Sequence, residues 1–446
     1  MLESAEKSME KKKVYIETLG CKTNQYESEA LAALFNDAGY EYIDEPEKAD
    51  VCIANTCTVT HVSDRKSRQV IRRLAGSKKA DAVLVVCGCY AQVAMEDVAA
   101  LGEADIIVGT NQRSHIVQAV EDFLANHQRK TYVSTKKEMS DFEDLGSKRL
   151  IKMTRAYLKV QEGCEQFCSY CIIPYARGPL RSRKMEDILA EVRNLEKESF
   201  QELILTGTHL GAYGVDDNGE NYDLADVCQA ILANCRIPRI RLGSIEPMEV
   251  SDKLIQLMKD NPRMCRHLHL PLQSGSDEVL KLMNRPYKTA QYKEKLTEIR
   301  ANIPDIAITT DVMVGFPGES DDDFRQCLMF VDEMAFAGMH IFKYSPRENT
   351  PAASFGGQID AQIKDKRSKS MLVVAEKNEL KFMERFVGSE MDVLLEEQDK
   401  KGYWEGHTDN YLKVLCRLEN AGKGEMHKIK ITELLKHNLY GEEVSI

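Results

Sequence analysis

Residues Glu162 to Arg177 read EGCEQFCSYCIIPYAR, which spaces Cys164, Cys168 and Cys171 as C-x3-C-x2-C with no fourth cysteine beside them. A structural zinc site closes its tetrahedron with four ligands. A four-iron cluster on three thiolates instead leaves one iron open to another ligand. The triplet directly follows an apolar strand candidate, Tyr157–Gln161, and others recur at Gln201–Gly207, Arg239–Ile245, Arg266–Leu272, Ala307–Gly315 and Met339–Tyr344. Helical stretches such as Met185–Ser199 and Asp321–Glu333 separate them, and a charged helix follows at Ala361–Phe386. Six strand–helix units at nearly regular spacing predict a parallel (β/α)6 barrel, complete or open, over 150–386. Its chemistry is expected at the C-terminal strand ends.

Upstream, residues 12–128 alternate strand and helix signals. Strands are predicted at Lys13–Cys21, Asp50–Cys57, Ala82–Cys89 and Ala104–Thr110, and helices at Asn24–Ala38, His61–Leu74 and up to about His127. That alternation predicts a parallel-sheet α/β domain. The polar stretch 129–153 reads as a linker. After Gly388 the segments Met391–Glu397, Gly402–Gly406, Asn410–Leu418 and Lys428–Leu434 are short, alternating and broken by Gly and Asn. Residues 388–446 are therefore expected to form a small antiparallel barrel of the OB kind.

The N-terminal domain holds a second trio. Cys21, Cys57 and Cys89 each fall at the C-terminal end of a predicted parallel strand, in LGC, NTC and CGC. In an open α/β sheet those ends line the ligand crevice, so the three thiols are expected to converge on a second metal site. Gly20 and Gly88 would allow close backbone approach. The remaining cysteines, 52, 87, 228, 235, 265, 327 and 416, have no metal-like spacing and read as structural. His267 and His269 point to one side of a strand and read as a hydrogen-bonded pair before metal ligands.

The composition, 43% hydrophobic and 29% charged over 446 residues, is that of a soluble globular protein with two or three domains. No apolar run approaches the roughly 20 residues of a membrane span. The N-terminal MLESAEKSMEKKK lacks an apolar signal-like segment, so a cytosolic protein is expected. Thirteen cysteines in such a chain point to metal or catalysis before disulfides. The net charge of −11 argues against indiscriminate nucleic-acid binding. A local basic face is still predicted on the helix around Arg65, Lys66, Arg68, Arg72 and Arg73.

Three strand-end cysteines, then the C-x3-C-x2-C triplet, then a small β-barrel: over nearly the whole chain this order resembles the methylthiotransferases of the radical S-adenosylmethionine superfamily. The matching segments are TLGCKTNQYE at 18–27, NTCTVT at 55–60, GCYAQ at 88–92, GCEQFCSYCIIPYARG at 163–178 and YSPRENTPA at 344–352. The resemblance implies a 4Fe-4S cluster on Cys164, Cys168 and Cys171 that binds S-adenosylmethionine at its open iron. It implies an auxiliary 4Fe-4S cluster on Cys21, Cys57 and Cys89 that presents sulfur, and a C-terminal TRAM domain. One S-adenosylmethionine would supply a radical by C–S cleavage and a second the methyl group, as the cofactor carries the hard chemistry. Cofactor contacts are implied at successive strand ends: Thr206, Gly207 and Thr208; Ser244 and Glu246; Gln273; Val314 and Gly315; and Tyr344.

Within the family, Gly20-Cys21-Lys22-Thr23-Asn24 and Asn55-Thr56-Cys57-Thr58-Val59-Thr60 look like the branch that methylthiolates C2 of N6-threonylcarbamoyladenosine beside the tRNA anticodon. Thr23 stands where Val is usual, and Asn349 where many members have Gly. The partners implied are a tRNA anticodon stem-loop and an external electron donor. The basic helix is the first candidate phosphate face, and Arg177, Arg181, Arg183 and Lys184 are the second. Tyr403 and Trp404 are candidates to stack a base and, at the start of a barrel strand, equally candidates for its core. The alternatives are the same chemistry on isopentenyladenosine tRNA or on ribosomal protein S12, and, in another class, an iron–sulfur protein that holds RNA without chemistry.

Overall fold

A computed structural model describes residues 11–146, 154–216 and 222–444. The chain divides into two units: one runs to Lys152 and takes in Tyr175–Pro179, and the other holds Met153–Pro174 and Leu180–Ile446.

The first unit is a six-stranded sheet in the order β2-β1-β3-β4-β5-β6. Its strands are β1 (Lys13–Thr18), β2 (Glu41–Tyr42), β3 (Val51–Thr56), β4 (Val83–Gly88), β5 (Ile106–Val108) and β6 (Lys130–Tyr132). All pairings are parallel. β3 and β4 are wholly buried runs, VCIANT and VLVVCG, as central strands covered on both faces must be. Helix α1 (Lys22–Asp37) buries Leu31 and Phe35 on one face with Val14, Ile53 and Val85. Helix α2 (His61–Ser77) buries Val70, Ile71 and Leu74 on the other with Leu84 and Val86. The strand order reverses between β1 and β3, which makes the crevice past their C-terminal ends the topological switch point. The expected linker at 129–153 is corrected in its first part. β6 closes the sheet edge, and Glu143 pairs with buried Arg113 at 3.0 Å. β2 and β6 are short and lack an apolar run, so they carry little sequence signal.

In the second unit, β7 (Ala156–Glu162), β8 (Arg181–Ser182), β9 (Glu202–Gly207) and β10 (Arg239–Leu242) form one sheet in the order β10-β9-β7-β8. β11 (His267–His269), β12 (Ala307–Val314) and β13 (Gly338–Lys343) form another. Parallel bridges Ile240–Met264 and Ser244–His269 join them. The result is an open barrel of six parallel strands, with β8 antiparallel on one edge and β13, exposed at His340, Phe342 and Lys343, on the other. Leu158, Leu203, Leu242, Leu268, Ile308 and Val312 face the helices in one apolar core.

The C-terminal barrel is closed, in the order β14-β15-β16-β18-β17. Its strands are β14 (Glu390–Gln398), β15 (Trp404–His407), β16 (Lys413–Cys416), β17 (Met426–Leu435) and β18 (Asn438–Glu443). β16 pairs with β18 in parallel, and the unforeseen polar strand β18 completes the closure. Trp404 is only 8% exposed and packs with Val393, Val414 and Ile431, so it is core rather than a stacking platform. Tyr403 stays half-buried, edge-on to Tyr440 and under the Arg417 guanidinium.

This barrel docks on the N-terminal ends of the central strands. Buried Glu202 accepts from Arg241 at 2.7 Å and pairs with Arg155 at 3.2 Å and Arg239 at 3.7 Å. Arg241 donates onward to the Asp409 and Thr408 carbonyls, and Arg239 to the His407 carbonyl, at 2.9 to 3.1 Å. Arg266 grips Asp409 at 2.7 Å.

Candidate metal centres

Cys164, Cys168 and Cys171 lie in the loop that leaves β7, at the C-terminal mouth of the barrel. Gly163 turns the chain with φ 81°, and Phe167 adopts φ 47°. Two distant segments pin the loop. Ser169 receives the Ala352 amide at 2.8 Å and gives its own amide to Met283 at 3.0 Å, and Asn284 donates to the Phe167 carbonyl at 3.1 Å. Asn349 has φ 65°, a conformation Asn tolerates, so the YSPRENTPA turn keeps its shape without Gly.

Two cationic side chains face the thiols. Arg285 donates to the Cys168 sulfur at 3.3 Å while pairing with Glu246 and touching the Tyr287 hydroxyl. The His209 ring lies 3.6 Å from the Cys164 sulfur and 2.7 Å from Glu249. Burial works against its charge, but the bonds to Cys164 and Glu249 outweigh that and raise His209 to about 10. Burial raises the Cys168 thiol, and Arg285 opposes it.

Of the expected cofactor contacts, Thr206, Val314, Gly315 and Tyr344 are buried, Gly207, Thr208, Glu246 and Gln273 are half-buried, and Ser244 is exposed. Gln273 sits at φ 65° and bridges to β12 at Val312. Gly315 has φ 71°, and a Cβ there would collide with the Lys364 side chain. Lys364 in turn donates to the Tyr344 carbonyl at 2.9 Å. His267 and His269 both bond the Thr309 hydroxyl, at 3.1 and 3.0 Å, and read as the expected internal pair.

Cys21, Cys57 and Cys89 follow β1, β3 and β4 at the switch point of the first unit. Cys21 caps α1, and Cys89 opens a helix at Cys89–Val93. Gly20 has φ 109°, and a Cβ there would lie 2.9 Å from the Cys57 sulfur. Burial pushes the Cys89 thiol up to about 12, with Arg177 opposing and the Cys21 and Cys57 sulfurs adding to it. Asn24 ties the crevice together, donating to the Leu19 and Thr56 carbonyls at 2.7 and 3.0 Å.

The second phosphate face is corrected. Arg177, Arg181 and Arg183 are each at most 2% exposed. Arg177 bonds Cys89 and Glu27, and Arg183 bonds Glu191. Buried cations need fixed partners, and these have them. Of that group only Lys184 is exposed. On α2, Arg65, Lys66 and Arg72 are exposed and make no ion pair among the described residues. Arg68 instead donates to the Tyr90 hydroxyl at 2.9 Å, and Arg73 pairs with Glu17.

Among the described residues no three His, Cys, Asp or Glu side chains, those of the two cysteine trios included, lie close enough to hold one metal ion. Both suit a larger, anionic iron–sulfur group. Each offers three thiols, a guanidinium N–H aimed at one of them and, at Gly20, room that a side chain would take. Sequence reading missed Arg285, His209, Glu27 and Arg113. His209 directly follows the expected Thr206–Thr208 and Glu27 ends the TLGCKTNQYE segment, but Arg285 and Arg113 carry no local signal. No helix among the described residues is long and apolar enough to cross a membrane.

Three family models match in turn: "Uncharacterized protein family UPF0004" over 13–109, "Radical SAM superfamily" over 158–331 and "TRAM domain" over 384–444. The threonylcarbamoyladenosine tRNA methylthiotransferase MtaB of Bacillus subtilis is 37% identical over 423 residues, 94% of this chain and 93% of its own. The protein of that name from Aquifex aeolicus is 36% identical over 90% of this chain and 96% of its own. The tRNA-2-methylthio-N(6)-dimethylallyladenosine synthase of Thermodesulfovibrio yellowstonii is 33% identical over 98% of this chain and 100% of its own. Among solved structures, the radical S-adenosylmethionine methyltransferase TsrM from Kitasatospora setae shares the fold, with a TM-score of 0.57 at 14% identity over 77% of both chains. The chain belongs to the methylthiotransferase family of the radical S-adenosylmethionine superfamily, and it is a transferase.

Proposed function

We propose that this enzyme converts N6-threonylcarbamoyladenosine in the tRNA anticodon loop to its 2-methylthio derivative, using two 4Fe-4S clusters and two molecules of S-adenosylmethionine. The observation that carries this reading is the presence of two separate cysteine trios, one in the loop after β7 and one spread over the C-terminal ends of β1, β3 and β4, each with its own arginine on a sulfur. The choice of nucleoside follows the Cys21-Lys22-Thr23-Asn24 motif and the names of relatives at 34 to 37% identity. Membership of a transferase family leaves no place for a non-catalytic RNA-holding protein.

When bound, the radical-site cluster supplies one-electron cleavage of the cofactor's C–S bond, and the auxiliary cluster supplies sulfur. The chain's part is to hold, aim and exclude water. Cys164, Cys168 and Cys171 would hold the first cluster, with Arg285 and His209 fixing two of the thiolates. Thr206, Gly207, Ser244, Glu246 and Gln273 ring the barrel mouth where the cofactor's polar groups would lie. Gly315 and Tyr344 would offer backbone to its base. Cys21, Cys57 and Cys89 would hold the second cluster. The exposed Arg65, Lys66 and Arg72 would meet phosphates while the loop's bases are splayed for reading.

A second reading keeps the chemistry on dimethylallyladenosine, since a relative of that name matches 98% of this chain. Anaerobic reconstitution followed by incubation with reductant, S-adenosylmethionine and tRNA carrying either nucleoside separates the two. Mass spectrometry of the digested tRNA should show a methylthio group on threonylcarbamoyladenosine. Product on dimethylallyladenosine alone would transfer the assignment to the second reading. Two variants divide the roles: Cys168→Ala should stop 5′-deoxyadenosine formation, whereas Cys57→Ala should retain it and lose the product.

A further inference from the structure

We infer that Arg177 is a positioning residue for the auxiliary centre, setting the charge felt at Cys89 and hence the reduction potential of a cluster held there. This rests on the reading that Cys21, Cys57 and Cys89 hold such a cluster.

Arg177 lies six residues past Cys171 in sequence, yet the segment Tyr175–Pro179 belongs to the first unit. There its guanidinium is fully engaged. Nε donates to the Cys89 sulfur at 3.1 Å, and one terminal nitrogen donates to Asn24 Oδ1 at 2.6 Å and to Glu27 at 3.1 Å. Asn24 Oδ1 also faces the Cys21 sulfur at 3.7 Å, so the same fork touches two of the three ligands' surroundings. The strap is anchored beside it, where Thr110 donates to the Ala176 carbonyl at 2.7 Å.

Behind Arg177 stands a buried row of alternating charge. Glu27 is 0% exposed and pairs with Arg113 at 2.5 Å, and Arg113 pairs with Glu143 at 3.0 Å. The signs run Glu143 minus, Arg113 plus, Glu27 minus, Arg177 plus, and the next atom is the Cys89 sulfur. An anionic thiolate–cluster group continues that alternation, whereas a neutral thiol does not. In a low-dielectric interior such charges act strongly at these distances. Hydrogen bonds to the sulfurs and net local charge are two of the terms that set a cluster's potential. A lysine could supply the charge, but not a planar fork that reaches a sulfur, an amide and a carboxylate together.

The experiment uses the full chain with Cys164, Cys168 and Cys171 all replaced by Ala, so that only the auxiliary cluster remains, reconstituted and titrated electrochemically with an electron paramagnetic resonance readout. Arg177→Met should lower the midpoint potential, because a cation and a donor to sulfur are gone. Glu27→Gln should raise it, because an anion is gone while Arg177 stays. Arg177→Lys should fall between Met and the parent. A purely structural role predicts no such opposition of sign. Should Arg177→Met fail to hold iron, Glu27→Gln and Arg177→Lys still decide. Unmoved or same-direction potentials overturn the inference and leave the cluster reading intact. No iron signal in the triple-alanine parent overturns both.

Discussion

Arg285 reaches the Cys168 sulfur at 3.3 Å from a position 117 residues along the chain, and the same guanidinium pairs with Glu246. The Cys168 sulfur is thus tied through one guanidinium to a carboxylate at another strand end, which joins the cysteine loop to the barrel mouth. Arg285→Gln should therefore lower 5′-deoxyadenosine formation by about 10- to 100-fold, the usual cost of losing an outer-shell partner. Iron held at Cys21, Cys57 and Cys89 should not change. Chromatographic quantitation of 5′-deoxyadenosine, with iron per chain measured alongside, checks this. Wild-type turnover by the variant would reduce the contact to packing.

Gly20 is a tight point of the auxiliary centre that bears directly on a sulfur. A methyl group there would fall 2.9 Å from the Cys57 sulfur, on a backbone at φ 109° that side chains rarely adopt. Gly20→Ala is expected to lose the auxiliary cluster while sparing the radical one. Strain of order 1–3 kcal/mol at the backbone alone would already tilt the site. Iron analysis should read a one-cluster protein that still cleaves S-adenosylmethionine. A full complement of iron would show that the crevice can relax.

How much of this was readable from the chain varies with distance in sequence. Cys164, Cys168 and Cys171 are neighbours, and their spacing alone signals a site. Cys21, Cys57 and Cys89 were legible because each ends a β-branched or apolar run, and parallel strands put such ends on one edge. The arginines were not. Arg177 and Arg72 look alike as letters, yet one is buried against Glu27 and the other is exposed on α2. The partners that decide this, Glu27 and Glu191, reach those arginines only once the chain is folded. Trp404 stayed open between base stacking and core for the related reason that a strand-initial aromatic carries no mark of which face it takes. β2, β6 and β18 escaped because edge and closing strands need no continuous apolar run.

The corrected arginines leave α2 as the phosphate candidate, and they narrow it. Arg73 is occupied by Glu17 and Arg68 by Tyr90, so Arg65, Lys66 and Arg72 carry the expectation. Replacing those three with Gln should weaken tRNA binding and flatten its salt dependence by about 1 in log–log slope for each phosphate no longer neutralised. Arg73→Gln alone should change the slope little. Gel-shift titrations across a salt series would show it, and an unchanged slope in the triple variant would move the RNA elsewhere.

Glu202 gives a prediction with a pH signature. Burial alone would raise its carboxyl, but Arg241, Arg155 and Arg239 outweigh that and hold it below the ordinary glutamate range. A depressed pKa means the contribution to stability is complete above the unfolded value, about 4.3. It is lost as pH falls through the folded value. Asp409, held down against its burial chiefly by Arg266, acts in the same direction at the same interface. Removing one member of a buried ion-pair group typically costs about 3–5 kcal/mol, so Glu202→Gln should lower the thermal midpoint clearly at pH 7. The gap between wild type and variant should then close as the pH is taken below about 4, because the wild-type carboxyl is itself being neutralised. Calorimetry of both proteins at a series of pH values gives the comparison directly. A gap that stays constant down to acid would mean that the variant fails through shape and not through charge, with Arg241 and Arg239 held by their carbonyl bonds and Arg155 by Glu396.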